Sequence, residues 1–189
     1  MKPVEKIIVV TGANAGIGFA TACALARQGA RLVLVCRDPD RGKAALAAVG
    51  NLAVSPPRLL IADFARQSSV RELSRKLHEQ LPRIDVLINN AGAAFARREL
   101  TTERIEKTFA VNHLAPFLLT NLVLDLIRRS PAGRIVNVTA GIPVSRSSFL
   151  ENLQGENTTA SSTPTDRRRW ETFSSRMSLP GGSKVQGSL

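Results

Sequence analysis

The regular alternation of two hydrophobic periods limits the folds open to this chain more than any other feature. Five short runs, rich in Val, Ile and Leu and nearly continuous in apolar residues, have the character of strands buried on both faces: 6–10, 31–36, 58–62, 85–89 and 134–138. Four stretches with a helical period lie between them, at 17–28, 39–49, 69–81 and 104–129. This order predicts an α/β fold, a doubly wound parallel sheet with right-handed crossovers and helices on both faces.

Two prolines refine the predicted helices. Pro39 follows Asp38, which is a suitable N-cap, so a helix should begin there. Pro116 interrupts the stretch 104–129, which is therefore one long helix or two.

The character of the chain changes after residue 156. Residues 157–189 are rich in Ser, Thr, Arg and Gly, have no hydrophobic period and offer few apolar side chains for burial. Segments of this kind cannot offset the entropy of ordering and usually stay disordered. The sequence predicts one folded domain over residues 1–156 and a disordered tail over 157–189.

Composition narrows the class of protein. No apolar run reaches the roughly 20 residues of a membrane span, and the first residues run into a strand without the layout of a signal peptide. The two cysteines, Cys23 and Cys36, lie in apolar segments, as in a reduced protein. We therefore expect a cytoplasmic protein with no membrane span and no metal site.

The net charge of +11 would suit a nucleic-acid partner. However, most basic residues of 1–156 lie beside acids on predicted helix faces, as in the run 104–107. No sequence motif of a known nucleic-acid-binding domain accompanies them. We expect a solvated basic surface and no nucleic-acid partner, and a basic nucleic-acid-associated protein remains the lower alternative.

A glycine-rich segment, TGANAGIG at 11–18, joins the first predicted strand to the first helix. Gly12, Gly16 and Gly18 would allow a tight turn, close approach to a pyrophosphate and close packing of helix on sheet, with the free N–H groups of the helix facing the phosphates. A tight strand-to-helix turn without a ligand is the alternative. Because a strand precedes and a helix follows, the motif indicates a Rossmann-type NAD(P)-binding domain.

The end of the second strand indicates which dinucleotide is bound. An acid at this place selects NAD through the ribose hydroxyls, whereas an Arg accommodates the extra phosphate of NADP. This chain has Cys36 in the acid's place, followed by Arg37 and Asp38. The charge favours NADP over NAD, although Arg37 could also be a solvated loop residue.

These motifs, with several others in the same order, resemble the short-chain dehydrogenase/reductase superfamily and, within it, the retinol-dehydrogenase-like group. The matching segments cover residues 6–156: TGANAGIG at 11–18, VCRD at 35–38, Asp63, DVLINNAG at 85–92, VNHLAPFLLTNLVLDL at 111–126, RIVNV at 134–138 and NLQGE at 152–156. The resemblance implies an NADP-dependent oxidoreductase that interconverts hydroxyl and carbonyl groups on a small apolar alcohol, aldehyde or ketone.

The resemblance also implies roles for individual residues. Asn14 and Ile17 belong to the cofactor-binding glycine segment, and Asp63 would contact the adenine ring unless it only initiates a helix. The segment 89–92 would stabilise the central sheet, and Asn90, Ala91 and Gly92 would line the cofactor. Asn112 would hold the water of a proton relay, unless it is simply a buried amide bonded to a carbonyl. His113 is interpreted as structural.

The chemistry of the family requires residues that this chain lacks. A Tyr hydroxyl exchanges the substrate proton, a Lys four residues later lowers its pKa, and a Ser orients the substrate oxygen. The sequence has no Tyr, and Thr139-Ala140 stands where the family has two serines. Ala140 occupies the place of the catalytic one, and Thr139 should face the other side of the strand. Only Asn112 remains of the catalytic set, so the chain as written should be inactive.

Residues 157–189 have a second interpretation, a shifted reading frame. When these residues are back-translated and read in the neighbouring frame, a Tyr codon can span the junction of Pro164 and Thr165. The shifted frame then permits the pattern Tyr-x-x-x-Lys, followed by an amphipathic helix. The fixed codons of Trp170 and Met177 agree with this frame. We hypothesise that the tail is frameshifted or truncated relative to the family.

A different class of function stays open, a non-catalytic dinucleotide-binding or dimerising protein. The family dimer should be impaired, because one of its two helices follows the missing Tyr. The family's sheet also continues beyond a fifth strand, so the sheet here should be incomplete on its C-terminal side, with an open edge.

Overall fold

The computed structural model describes residues 5–95, 97–139 and 154, and these form a five-stranded, wholly parallel sheet in the order β3-β2-β1-β4-β5. The strands are β1 (Ile7–Thr11), β2 (Arg31–Cys36), β3 (Arg58–Ile61), β4 (Val86–Asn89) and β5 (Arg134–Asn137). The helices between the first four are α1 (Gly16–Arg27), α2 (Pro39–Gly50) and α3 (Gln67–Gln80). The doubly wound α/β fold expected from the sequence is confirmed.

The direction of winding reverses at β1. The chain passes outward from β1 through β2 to β3, then returns to place β4 on the other side of β1, with Val9 paired to both Val33 and Leu87. Such a reversal leaves a crevice beyond the carboxyl ends of the two strands, and ligands of doubly wound sheets bind there.

Each face of the sheet carries its own hydrophobic core, because alternate strand residues point to opposite sides. Ile7 and Val9 pack with one core, which α3 and the later helices cover. Ile8 and Val10 pack with the other, which α1 and α2 cover. The central strands are therefore apolar at every position except their ends, where Thr11, Arg31 and Asn89 lie, and this is the pattern seen in the sequence.

Asp85, just before β4, ties the amino end of β1 to the loops before β4 and β5. Its carboxylate accepts hydrogen bonds from the Ile7 N–H (2.7 Å), the Ser130 hydroxyl (2.6 Å) and Arg83 Nε (2.9 Å). The Asp85 side chain is buried, so these three donors compensate its lost hydration.

The last helical stretch differs from both alternatives taken from the sequence. It begins at α4 (Lys107–Phe109), continues through a π-helical turn (Ala110–Leu114) into α5 (Ala115–Leu122), and ends with α6 (Leu124–Arg128). Pro116 does not break the helix, and it is the second residue of α5, directly after the π-helical turn. The irregular positions are the π-helical turn and Val123.

The residues before α4 are not helical. Leu100 and Glu106 form an isolated antiparallel bridge, and Arg104 has a φ of 60° between them. A side chain rarely adopts that backbone conformation, so the predicted start of the helix at 104 was three residues early.

Strand β5 lies at one end of the sheet. Among the described residues it pairs only with β4, and Val136 is 43% exposed. The domain limit at 156 and the tail 157–189 lie outside the described residues, as does Ala140. None of the helices in the described part of the chain is long and apolar enough to cross a membrane.

Candidate functional site

A cleft of about 570 Å³ opens at the carboxyl ends of the central strands, at the reversal of winding. Six chain segments form its walls: the glycine segment, the end of β2 with the start of α2, the turn after β3, the segment after β4, part of the π-helical turn, and the residues after β5. Nine of the predicted cofactor-binding residues line it: Gly12, Asn14, Gly16, Ile17, Arg37, Asp63, Asn90, Ala91 and Gly92. Gly18 is the tenth, and it lies behind the wall as a buried residue of α1.

The three glycines of the first segment have different local requirements. Gly12 and Gly16 have φ values of 67° and 53°, in the region that favours glycine. A Cβ on Gly18 would overlap the Asn90 amide and the Gly12 carbonyl oxygen, whereas a Cβ on Gly16 would meet open space. Gly18 thus allows close packing, and Gly16 allows the turn that leaves the cleft open.

The amino end of α1 faces this cleft without a side-chain cap. Its N-cap residue is Ala15, and no side chain in the described part of the chain bonds the first N–H groups. Ile17 in the first turn is 66% exposed. Uncapped N–H groups at a helix start, with the positive end of the helix dipole, form an anion site when a ligand is present.

Asn90 connects the first and fourth strands behind the glycine segment. Its Nδ2 donates to the carbonyl oxygens of Thr11 (2.9 Å) and Gly12 (3.2 Å). The backbone N–H groups of Asn90 and Ala91 both donate to the Thr11 hydroxyl oxygen at 3.0 Å, and that hydroxyl donates to the Ile88 carbonyl (3.2 Å). Asn90 therefore shapes the glycine turn as well as lining the cleft.

The end of β2 combines a buried thiol with exposed charges. Cys36 is buried, and burial raises the pKa of its thiol, so it is an unreactive packing group. Asp38 Oδ1 accepts the N–H groups of Asp40 and Arg41, both at 2.9 Å, which confirms Asp38 as the N-cap of α2. Arg37 is exposed at the cleft wall.

Asp63 forms the turn between β3 and α3. Its Oδ1 accepts the Ala65 N–H (3.0 Å), and its own N–H donates to the Ser69 hydroxyl oxygen (2.9 Å). These bonds shape the turn ahead of α3, whose N-cap is Arg66, and Asp63 also lines the cleft. The two roles are compatible, because a carboxylate has further acceptor positions.

Asn112 lies in the π-helical turn, next to the segment after β4. Its Oδ1 accepts the Ala93 N–H (2.8 Å), and its Nδ2 donates to the Ala93 carbonyl (2.9 Å). A Cβ on Gly92 would lie 3.4 Å from the same Oδ1. The neighbouring His113 stacks on the Phe109 ring, with centroids 5.1 Å apart. The side chain of Asn112 therefore positions the cleft wall.

Sequence reasoning missed three features of this site. Arg41 lines the cleft beside Arg37, and helical spacing from the N-cap could have placed it there. Thr139 also lines the cleft, although we expected it to face away from the site. A chain of polar groups, in which the buried Asn89 donates through Nδ2 to the buried Thr120 Oγ1 (3.1 Å) and to the exposed Asn137 Oδ1 (2.9 Å), had no local signal.

The described residues hold no group of three or more His, Cys, Asp or Glu side chains that could bind a metal ion. The cleft is lined instead by glycines, the amides of Asn14, Asn90 and Asn112, two arginines and two aspartates. The sequence profile of short chain dehydrogenases matches residues 6–149, which is most of the chain and includes this cleft.

The chain belongs to the short-chain dehydrogenase family.

Within this family of oxidoreductases, the chain is similar to the retinol dehydrogenases. It is 41% identical to human retinol dehydrogenase 13 over 136 residues, which cover 71% of this chain and 41% of that protein. It is 39% identical to human retinol dehydrogenase 11 over 155 residues, which cover 80% of this chain and 48% of that protein. The short-chain dehydrogenase thus spans less than half the length of these relatives.

Solved structures agree with the fold. Pseudomonas aeruginosa RhlG, solved as an active-site complex with NADP, superimposes with a TM-score of 0.63 at 27% identity. The match covers 74% of this chain and 56% of RhlG. The resemblance to the family stated from the sequence is therefore confirmed.

Proposed function

We propose that the cleft binds NADP and that the chain derives from an oxidoreductase acting on a hydroxyl or carbonyl group of a small apolar molecule. The observation that carries this proposal is the meeting of the glycine turn, the uncapped start of α1 and Arg37 in one cleft. The RhlG complex with NADP supports it as the example of a relative with the same fold.

The residues present fit a dinucleotide. The open space at Gly16 and the free N–H groups of α1 would receive the pyrophosphate. Asp63 and Arg37 would hold the adenosine part, and the backbone of Ala91 and Gly92 would lie along the nicotinamide half. A bound nicotinamide would supply the hydride chemistry of the family.

The preference for NADP over NAD rests on charge. Cys36 at the end of β2 has no charge to bond the ribose hydroxyls, and Arg37 supplies a cation beside it. A phosphate on the ribose would be stabilised there, and a free ribose would lose the usual carboxylate partner.

We further propose that the chain binds the dinucleotide without turnover. No Tyr is present in the sequence, so no phenol stands ready to exchange the substrate proton. Asn112 would act by positioning the wall beside the nicotinamide, through its two bonds to Ala93.

The first experiment compares binding of NADPH and NADH by fluorescence titration of the whole chain. NADPH should bind more tightly, and Arg37→Asp should reverse the order. Equal affinities in the parent and in the variant would contradict the NADP proposal. Aldehyde reduction by the parent chain at a rate typical of enzymes, on the order of 1 s⁻¹ or more, would contradict the absence of turnover.

A second candidate is a non-catalytic dinucleotide-binding protein whose tail has a use of its own. The absence of Tyr from a chain with an intact cleft favours it. Genomic DNA around codon 157 separates the two. A single-base shift that opens a Tyr-x-x-x-Lys frame would indicate descent from an active enzyme. Correcting that frame should then restore reduction of carbonyls, and Ala140→Ser should raise it further.

A further inference from the structure

A side chain from a distant part of the sequence holds the start of α3. The N-cap residue of this helix is Arg66, whose side chain bonds none of the first N–H groups within the described part of the chain. The Gln67 N–H donates to Glu103 Oε1 at 3.2 Å, across a separation of 36 residues. A carboxylate at this place also stabilises the positive end of the helix dipole. Glu103 therefore does for α3 what an adjacent N-cap residue does for other helices.

A tight loop fixes the position of Glu103. The Arg104 N–H donates to the Thr101 carbonyl oxygen (3.0 Å), and the Ile105 N–H donates to the Thr101 hydroxyl oxygen (3.2 Å). The chain turns back at Arg104, which has a φ of 60°. The Thr102 hydroxyl donates to Glu103 Oε2 at 3.0 Å. This bond orients the carboxylate, so that its other oxygen meets α3.

The helix start that Glu103 caps is bonded to one wall of the cleft. Asp63 lines the cleft and lies in the turn before α3. Its N–H donates to Ser69 Oγ, in the first turn of α3, at 2.9 Å. In return, the Arg66 N–H donates to the Asp63 carbonyl oxygen at 3.1 Å. A displacement of the helix start would therefore move Asp63, although Glu103 itself lies outside the described lining of the cleft.

The loop is also joined to the helical stretch that forms another part of the cleft. Leu100 and Glu106 form the antiparallel bridge at the base of the loop. Glu106 Oε2 then accepts the Phe109 N–H of α4 at 2.8 Å. Helix α4 continues into the π-helical turn, from which Asn112 lines the cleft. Glu103 thereby ties the Asp63 turn to the stretch that carries Asn112.

We propose that Glu103 is a positioning residue for ligand binding, which caps α3 and so holds the Asp63 turn where the adenosine part of the dinucleotide binds. This inference rests on the proposed function, because that function assigns Asp63 to the adenosine part. It adds that a residue outside the cleft, and on a separate loop, contributes to the affinity for the dinucleotide.

The charge of Glu103 gives the test a distinguishing sign. A surface carboxylate repels an anionic dinucleotide, so removing its charge should by itself leave binding unchanged or tighten it. Loss of the cap should act in the opposite direction, because it frees the Asp63 turn. Glu103→Gln removes the charge and keeps an oxygen that can accept the Gln67 N–H, whereas Glu103→Ala removes both. Glu103 is exposed, so both variants should remain folded.

Fluorescence titration of the whole chain with NADPH compares these variants. Glu103→Ala should weaken NADPH binding about fivefold, the loss expected if a typical N-cap contribution reaches the site. Glu103→Gln should stay within about twofold of the parent, because the cap is kept. Glu79→Ala is the matched control, since Glu79 is an exposed acid at the other end of α3. It should also stay within about twofold.

A double-mutant cycle with Asp63→Ala tests the route of the effect. If Glu103 acts through the Asp63 turn, Glu103→Ala should change NADPH affinity by less than about twofold once Asp63 is Ala. A general structural role would instead give the same loss with either residue at position 63, and that result would overturn the inference.

Three further results of the titrations would be decisive. A parent chain that binds NADPH no more tightly than Glu103→Ala does would overturn this inference and leave the proposed function intact. Equal weakening by Glu103→Ala and Glu103→Gln would also overturn it, since the charge and not the cap would then matter. A parent chain that binds neither NADPH nor NADH would overturn the proposed function and this inference with it.

Discussion

Two hydrogen bonds join the Asn112 side chain to the Ala93 backbone. Asn112 Oδ1 accepts the Ala93 N–H, and Asn112 Nδ2 donates to the Ala93 carbonyl oxygen. The π-helical turn around Asn112 brings this amide to the segment after β4, which forms one wall of the cleft. A buried residue of the last helical stretch thereby sets the position of the cleft wall.

We expect Asn112→Ala to destabilise the fold by about 2–4 kcal/mol, because both Ala93 backbone groups would lose a buried partner. Asn121→Ala is the matched control, since Asn121 is exposed and its Nδ2 donates to the Phe117 carbonyl of its own helix. That change should lie within about 0.5 kcal/mol of the parent. Urea denaturation measures both. Equal stability of the two variants would show that the Asn112–Ala93 pair does not hold the wall.

The glycines at 16 and 18 should respond differently to Ala. Gly18→Ala should cost about 1–3 kcal/mol or more, since the new methyl would overlap the Asn90 amide and the Gly12 carbonyl. Gly16→Ala has room for its methyl and should cost only about 1–2 kcal/mol, from its φ of 53°. Thermal unfolding of the two variants gives the comparison, and a larger loss at Gly16 would contradict the packing argument.

Arg104 has a left-handed backbone conformation in the segment before α4. Arg104→Gly should therefore stabilise the fold, by up to about 1 kcal/mol, since Gly adopts a φ of 60° without steric cost. The same change at Arg71, an exposed residue within α3, should destabilise by about 0.5–1 kcal/mol. Chemical denaturation of both variants tests this, and a loss of stability for Arg104→Gly would show that its backbone conformation carries no strain.

A pH dependence of stability is expected from His78. Its Nδ1 lies 2.8 Å from the Ser74 carbonyl oxygen and its Nε2 lies 2.9 Å from Asp125 Oδ1, an arrangement that provides acceptors for both protons of the charged ring. The bond to the Ser74 carbonyl, followed by Asp125, raises the pKa of His78 above its usual 6.5.

The sign of the effect follows from this raised pKa. The stabilisation is fully present below pH 6.5 and is lost as the pH rises through the folded-state pKa. Because His78 and Asp125 are partly exposed, the change should stay below about 1 kcal/mol. His78→Gln should flatten the stability profile between pH 6 and 8 in urea unfolding experiments. A parent profile that rises over that range would contradict the assignment.

Local sequence was enough for several parts of the molecule. All five strands were predicted to within one residue at each end, and Arg31–Cys36 with its observed limits, because a strand buried on both faces is nearly continuous in apolar residues. The glycine turn and the helix start at Pro39 could be predicted for the same kind of reason, since each depends on neighbours within a few residues.

The errors and omissions share another cause. The π-helical turn and Arg41's place at the cleft depend on how helices pack against strands that come from other parts of the sequence. Proline at position 116 lacks a backbone N–H and so removes one helical hydrogen bond. The surrounding packing decided whether the helix would break there.

The sequence by itself determined the alternation of strands and helices, the glycine turn, the cation at position 37 and the absence of Tyr. The tertiary structure alone decided which groups meet: Asn90 with the Thr11 and Gly12 carbonyls, Asn112 with Ala93, and Arg41 with the cleft. The physical reason is separation along the chain. Periodicity and turn geometry act over a few residues, whereas Thr11 and Asn90 are 79 residues apart and meet only because the crossovers place β1 beside β4.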